Sequence, residues 1–200
     1  MFGWLYILYL IAMSLQNGDD AKTLWSKIGF YLTWVQTGAA LEIVHSMVGL
    51  VRSPVMTTAL QVSSRLFLVW IVTIPSEVAQ SHWSLYLMAT SWSLVEVPRY
   101  LFYAVNLVVG APDKIPAPLF FLRYSLFMVL YPTGISGEMF QMWNGYPTLT
   151  PIMGRWVLST FYIYFPMGPF MVMNMWNTRK RSYKKRNLAK KGNEEQRTDM

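Results

Sequence analysis

The chain has 200 residues, of which 54% are hydrophobic and only 14% charged, whereas an ordinary soluble domain carries about a quarter charged residues. Its net charge of +7 does not describe a nucleic-acid binder, because eight Lys and Arg crowd into Arg179–Lys191 and no basic face interleaved with aromatics precedes them. The absence of cysteine excludes disulfide frameworks, thiolate nucleophiles and Cys-based metal sites, and two histidines, His45 and His82, are too few for most His-rich metal centres.

Six apolar stretches follow one another: residues 2–15, 28–51, 57–74, 83–109, 118–142 and 152–176. Most approach the ~20 residues that a helix needs to cross the hydrocarbon core, and none alternates polar and apolar residues as a barrel strand does. The expected fold is all-α, a polytopic membrane helix bundle of about six transmembrane helices. Residues 1–178 form the bundle, and 179–200 form a basic tail that is expected to be disordered. The first stretch is short, but no positive charge precedes it as in a signal peptide, so it reads as a short or tilted helix.

Six crossings put both termini on one side, together with Arg52 and Lys114. The 141–151 loop carries no charge and the 75–83 loop only Glu77. The positive-inside rule then places both termini in the cytosol, with the tail against anionic headgroups.

Ionisable side chains within apolar helices are costly and ask for a partner or a task. They are Glu42 and His45 in the second stretch, Arg65 in the third, Glu96 and Arg99 in the fourth, and Arg123 and Glu138 in the fifth. Glu42 with His45, and Glu96 with Arg99, are three apart and can pair locally. Arg65 and Arg123 are near enough to the cytosolic end to snorkel, and Gln61, one turn from Arg65, joins the same polar lining.

Glu138 has no basic neighbour in its own helix. Tyr131 precedes it by seven residues, which returns to almost the same helical face about 10 Å away along the axis. Pro132 and Gly134 predict a break in the helix there, and broken helix is tolerated in a membrane only where protein buries it or it lines a cavity. A helix restarting near Pro132 would favour a phenolate on Tyr131. A kinked helix with a belt tyrosine and a snorkelling glutamate fits these residues equally well.

Several longer motifs occur in one order: Gln36-Thr37-Gly38-Ala39-Ala40-Leu41-Glu42-Ile43-Val44-His45, then Gly49-Leu50-Val51-Arg52-Ser53-Pro54, then Gln61-Val62-Ser63-Ser64-Arg65. Trp92-Ser93-Leu94-Val95-Glu96 with Arg99-Tyr100, Leu122-Arg123-Tyr124, and Tyr131-Pro132-Thr133-Gly134 with Glu138 complete the series. With these the chain resembles the very-long-chain 3-hydroxyacyl-CoA dehydratases, the protein tyrosine phosphatase-like (PTPLA-type) proteins of the endoplasmic reticulum. The likeness runs from Gln36 through the fifth helix and more weakly into the sixth helix and tail. The start departs from the family's usual Tyr-Asn motif.

The resemblance implies a hydro-lyase that removes water from a long-chain (3R)-3-hydroxyacyl-CoA to give the trans-2-enoyl-CoA, the third step of fatty acid elongation. Its catalytic pair carries over to Tyr131 and Glu138. Gly134, Arg65, Arg99 and Arg123 match positions associated with an intact site, and Glu42 and Gln61 match architectural ones. Phosphatase activity is not implied, since no thiolate is available. Glu138 is the expected base at C2 and Tyr131 the donor to the leaving hydroxyl, with the reverse assignment open. No metal or cofactor is expected, because CoA belongs to the substrate.

Arg52, Lys114 and the tail are the sequence candidates for the CoA phosphates. Membrane lipid, and the elongase and reductase subunits of elongation, are the implied partners, with residence in the endoplasmic reticulum membrane. The rival readings are a non-catalytic scaffold for elongation enzymes and a small-molecule transporter, although no duplicated half supports the latter.

Overall fold

The computed structural model describes residues 1–49, 55–111 and 114–198, and every regular element among them is helical. Helix α1 (Phe2–Gln16) places Trp4, Ile7 and Ile11 on one face at helical spacing, and all three are buried against α2 (Ala21–Gly38) and α6 (Ser84–Val109). This short first helix is a wall of the bundle. Asp20 starts α2 by accepting the Thr23 N–H at 2.9 Å, so the helix begins seven residues before the apolar run that marked it. At Ala39 the chain steps into α3 (Ala40–Met47), dividing a stretch expected to be continuous. Arg52 and the rest of Leu50–Pro54 lie outside the described residues.

Helix α4 (Val55–Phe67) passes into a π-helical turn, Leu68–Thr73, in which Ile74 N–H reaches Val69 O at 3.0 Å. This wider turn directs Leu68, Val69 and Val72 together into the core. After the short α5 (Glu77–Ser81) and α6 come α7 (Ala117–Ser125), α8 (Phe127–Gly145), a 3₁₀ turn at Tyr146–Thr148, and α9 (Pro151–Thr198).

Among the described residues three stretches are long and apolar enough to cross a membrane: Val55–Thr73, Ala117–Thr148 and Pro151–Gly192. Six crossings are therefore not established. At 15 residues α1 is short for a ~30 Å core, and α6 is interrupted by Glu96 and Arg99. Phe30, Leu107, Trp156 and Phe170 all point outwards and are exposed, the arrangement of a surface that meets lipid. Arg155, one turn inside α9, escapes the sequence inventory and weakens the charge asymmetry on which the orientation was read.

The basic tail departs from expectation, because α9 continues through it as helix to Thr198. Arg186 is buried. Its Nη2 donates to the Ile115 carbonyl at 2.6 Å, and its guanidinium lies 4.3 Å from the centre of the Phe120 ring. Two helical turns earlier, Arg179 Nε donates to Ser125 Oγ at 3.2 Å. These contacts dock the start of the tail on α7, which a count of charges alone does not reveal.

The most extensive helix pair is α6 with α8, and Gly137 allows their approach. A Cβ at Gly137 would stand 2.8 Å from the backbone nitrogen of Met88, whereas one at Gly134 would meet only Ser91 Cβ at 3.5 Å. Gly137→Ala should therefore cost about 1–3 kcal/mol through overpacking. Gly134→Ala should leave the thermal unfolding midpoint in detergent nearly unchanged.

Candidate active site

Helix α8 runs unbroken through Pro132, in contrast to the predicted break there. Proline removes the N–H that would bond Met128 O, but Thr133 Oγ1 donates to Val129 O at 3.0 Å, and Gly134, Gly137 and Glu138 are buried against neighbouring helices. The interruption falls at Leu126, between α7 and α8, so any helix-start dipole acts from there, one turn before Tyr131. Because α8 is continuous, Tyr131 and Glu138 do share a face about 10 Å apart along its axis.

Glu138 is 7% exposed, and both of its oxygens are engaged by neutral donors. Trp92 Nε1 of α6 donates to Oε1 at 2.8 Å, and the Tyr164 hydroxyl of α9 donates to Oε2 at 2.7 Å. Each oxygen keeps a further lone pair for a proton. The Tyr131 hydroxyl has no hydrogen-bond partner among the described residues and remains available to a substrate. Tyr164 was missed by sequence reasoning: it lies in an apolar stretch, and only the pairing of α8 with α9 brings it to Glu138. Trp92 belonged to a quoted motif, but nothing in that motif indicated its partner.

Both residues open on a cavity of about 750 Å³ between α4, α6, α8 and α9. All the predicted site residues line it: Tyr131 and Glu138, Gly134, the three arginines Arg65, Arg99 and Arg123, and Glu42 with Gln61. Lys114 does not.

The charges pair across helices more than within them. Arg65 bonds Glu96, and Glu96 also meets Arg99 Nη2 at 2.6 Å, the local pair expected from spacing. Arg99 Nη2 donates at 2.5 Å to Glu42, which also accepts from the Tyr100 hydroxyl. Glu42 is thus held by α6 and not by His45, and Arg65 is anchored in the bundle instead of snorkelling. The Arg65 guanidinium lies 5.2 Å from the centre of the Trp92 ring whose N–H holds Glu138. Arg123 packs against Tyr103 and Tyr124 inside the bundle instead of reaching headgroups.

A buried carboxylate oriented by two donors, with a free phenol on the same helical face and a cavity wide enough for a flexible chain, suits proton transfer to and from a small reacting centre. Among the described residues no cluster of three or more His, Asp or Glu is arranged to hold a metal.

Residues 36–185 match the family model described as "Protein tyrosine phosphatase-like protein, PTPLA". A very-long-chain (3R)-3-hydroxyacyl-CoA dehydratase of Caenorhabditis elegans is 43% identical over 71% of this chain and 64% of its own length. The rice dehydratase PASTICCINO 2A is 36% identical over 94% of this chain and 90% of its own. Human dehydratase 2 is 37% identical over 72% and 56% respectively, so the matched region spans little more than half of that relative. No solved structure matches. The matched region contains Tyr131, Glu138 and every cavity-lining residue just described, and the chain belongs to the protein tyrosine phosphatase-like (PTPLA) family.

Proposed function

We propose that this chain is a very-long-chain (3R)-3-hydroxyacyl-CoA dehydratase, a hydro-lyase of the fatty acid elongation cycle. The observation that carries the reading is Glu138, its two oxygens held by Trp92 and Tyr164, on one face of α8 with Tyr131 in a deep cavity. Glu138 takes the proton from C2 of the substrate. The C2–H electrons form the C2–C3 double bond, and the C3 hydroxyl leaves as water with the proton of Tyr131. The proton on Glu138 then returns the tyrosine to its starting state. The thioester carbonyl accepts charge developing at C2, so the reaction needs no redox cofactor or metal.

The cavity addresses the depth at which Glu138 lies. Its lining on α9 extends from Thr160 to Thr178, about 27 Å along the helix, towards the end that bears the basic tail. An acyl-CoA entering from that end can reach Glu138 through the bundle, with its acyl chain between apolar helix walls. The proposed setting is the endoplasmic reticulum membrane, with both termini in the cytosol and elongase and reductase subunits as partners.

The test is conversion of a long-chain (3R)-3-hydroxyacyl-CoA to the enoyl-CoA by the purified protein in detergent. Turnover supports the reading, and a folded protein inactive across chain lengths would sink it. Tyr164→Phe removes one donor to Glu138 without emptying the site. It should lower kcat about 10-fold with KM within about threefold, the loss of one positioning hydrogen bond to a charged group. Steady-state kinetics of that variant would check this.

A further inference from the structure

The bundle carries three carboxylates and three guanidiniums among Glu42, Arg65, Glu96, Arg99, Arg123 and Glu138, and they do not pair off evenly. Glu96 and Glu42 satisfy Arg65 and Arg99. Among the described residues this leaves Glu138 and Arg123 without an opposite charge in ion-pair range. Glu138 is compensated by Trp92 and Tyr164. Arg123 is not compensated to the same degree. Its Nε is buried without a hydrogen-bond partner, its Nη2 has only the Tyr103 hydroxyl at 3.4 Å, and its guanidinium lies about 5.5 Å from the centres of the Tyr103 and Tyr124 rings. Glu96 acts on Arg123 only from beyond ion-pair range and is already shared by Arg65 and Arg99, so this partly desolvated guanidinium gains from an anion that joins it.

The spacing of these two groups has a chemical counterpart. Arg123 and Glu138 are fifteen residues apart, about 22 Å along a helical axis. The helix is interrupted at Leu126, where Leu126 N–H bonds Leu122 O at 3.2 Å to end α7 and Leu130 N–H bonds Leu126 O at 2.9 Å to start α8, so that length is the value for a straight axis. Helix α9 confirms the register from the other side of the cavity. Tyr164 meets Glu138 and Arg179 meets Ser125, a span of fifteen residues on α9, about 22 Å, which puts the cavity-lining Thr178 within about a turn of the level of Arg123. In a pantetheine thioester, fifteen bonds separate C2 of the acyl group from the phosphorus that ends the arm, about 18 Å at the ~1.2 Å advance per bond of an extended chain. The two side chains take up the difference.

We infer that Arg123, with Thr178 near its level across the cavity, receives the phosphate at the end of the 4′-phosphopantetheine arm, and that the distance from Arg123 to Glu138 measures that arm. The inference rests on the dehydratase reading and extends it. It moves the phosphate contact from Lys114 on the surface to an arginine inside the cavity, and it makes the site selective for phosphopantetheine thioesters over thioesters without the phosphate.

The experiment compares the parent with Arg123→Gln and Arg123→Lys on three 3-hydroxyacyl thioesters: those of CoA, 4′-phosphopantetheine and dephosphorylated pantetheine. Arg123→Gln should raise KM for the two phosphorylated substrates about 10- to 100-fold, the value of one or two charge-assisted hydrogen bonds, with Arg123→Lys in between. On the pantetheine thioester the parent-to-variant ratio should shrink to within about threefold, because no phosphate is present to be lost.

An equal loss on all three substrates would make Arg123 a packing residue and overturn the proposal. A loss confined to the CoA thioester would move the contact to the ADP phosphates and overturn the ruler. Should the parent turn over none of the three, the dehydratase reading fails separately. Titration of tryptophan fluorescence with stearoyl-CoA, which cannot be dehydrated, then decides the anion site: weaker binding by Arg123→Gln sustains it, and equal affinity removes it.

Discussion

Glu138→Ala should abolish formation of enoyl-CoA while the helices stay assembled. The carboxylate is the one acid in the cavity that neither bonds nor meets an arginine in ion-pair range among the described residues, so its removal breaks no ionic network. It leaves the Trp92 N–H and Tyr164 hydroxyl facing a cavity with ample room for water, which can satisfy both. The expected loss of kcat is about 10³-fold or more, in line with deletion of a general base. Tyr131→Phe, which removes one oxygen, should cost about 10²- to 10³-fold by the same logic. Steady-state turnover paired with thermal unfolding in detergent separates chemistry from folding. Normal activity in either variant would refute that residue's assignment.

The largest effect on stability is expected at Glu96. This carboxylate is 2% exposed and lies between two guanidiniums, with Arg65 of α4 on one oxygen and Arg99 of its own helix near the other. Through Arg99 the chain of charges passes to Glu42 of α3, so the ionic group links α3, α4 and α6. Glu96→Ala strands Arg65 and leaves Arg99 with Glu42 alone. Losing one member of a buried ionic group in this way costs about 3–5 kcal/mol, far more than the whole group contributes over an apolar equivalent. Unfolding of the variant in detergent should show a markedly lower midpoint, and Glu96→Gln, which keeps an acceptor, a smaller drop. Activity should fall as well, because Arg65 packs on the Trp92 ring that positions Glu138. An unchanged midpoint for Glu96→Ala would mean that the charges are solvated in the folded protein.

The helices were legible in the sequence because apolar runs report directly on what must leave water, and the alignment of Tyr131 with Glu138 was legible because spacing decides which residues of one helix share a face, while their catalytic role was implied by the family resemblance alone. The ends of elements were less so. The sequence pointed to a break at Pro132, but side-chain bonding from Thr133 and packing around Gly134 and Gly137 carry α8 through it. It pointed to a disordered tail, but Arg186 finds a carbonyl and a ring on α7.

What the sequence by itself determined, then, was that this is a helical membrane protein with an acid and a phenol aligned in its fifth apolar segment. The tertiary structure alone decided the rest. Which donors hold Glu138, which acids neutralise which arginines, and which arginine is left over all depend on contacts between segments tens of residues apart. The hydrophobic effect that drives each segment to bury is non-directional. Hydrogen bonds and ion pairs act only at short range and in fixed geometry, so their partners are settled only once the helices have packed.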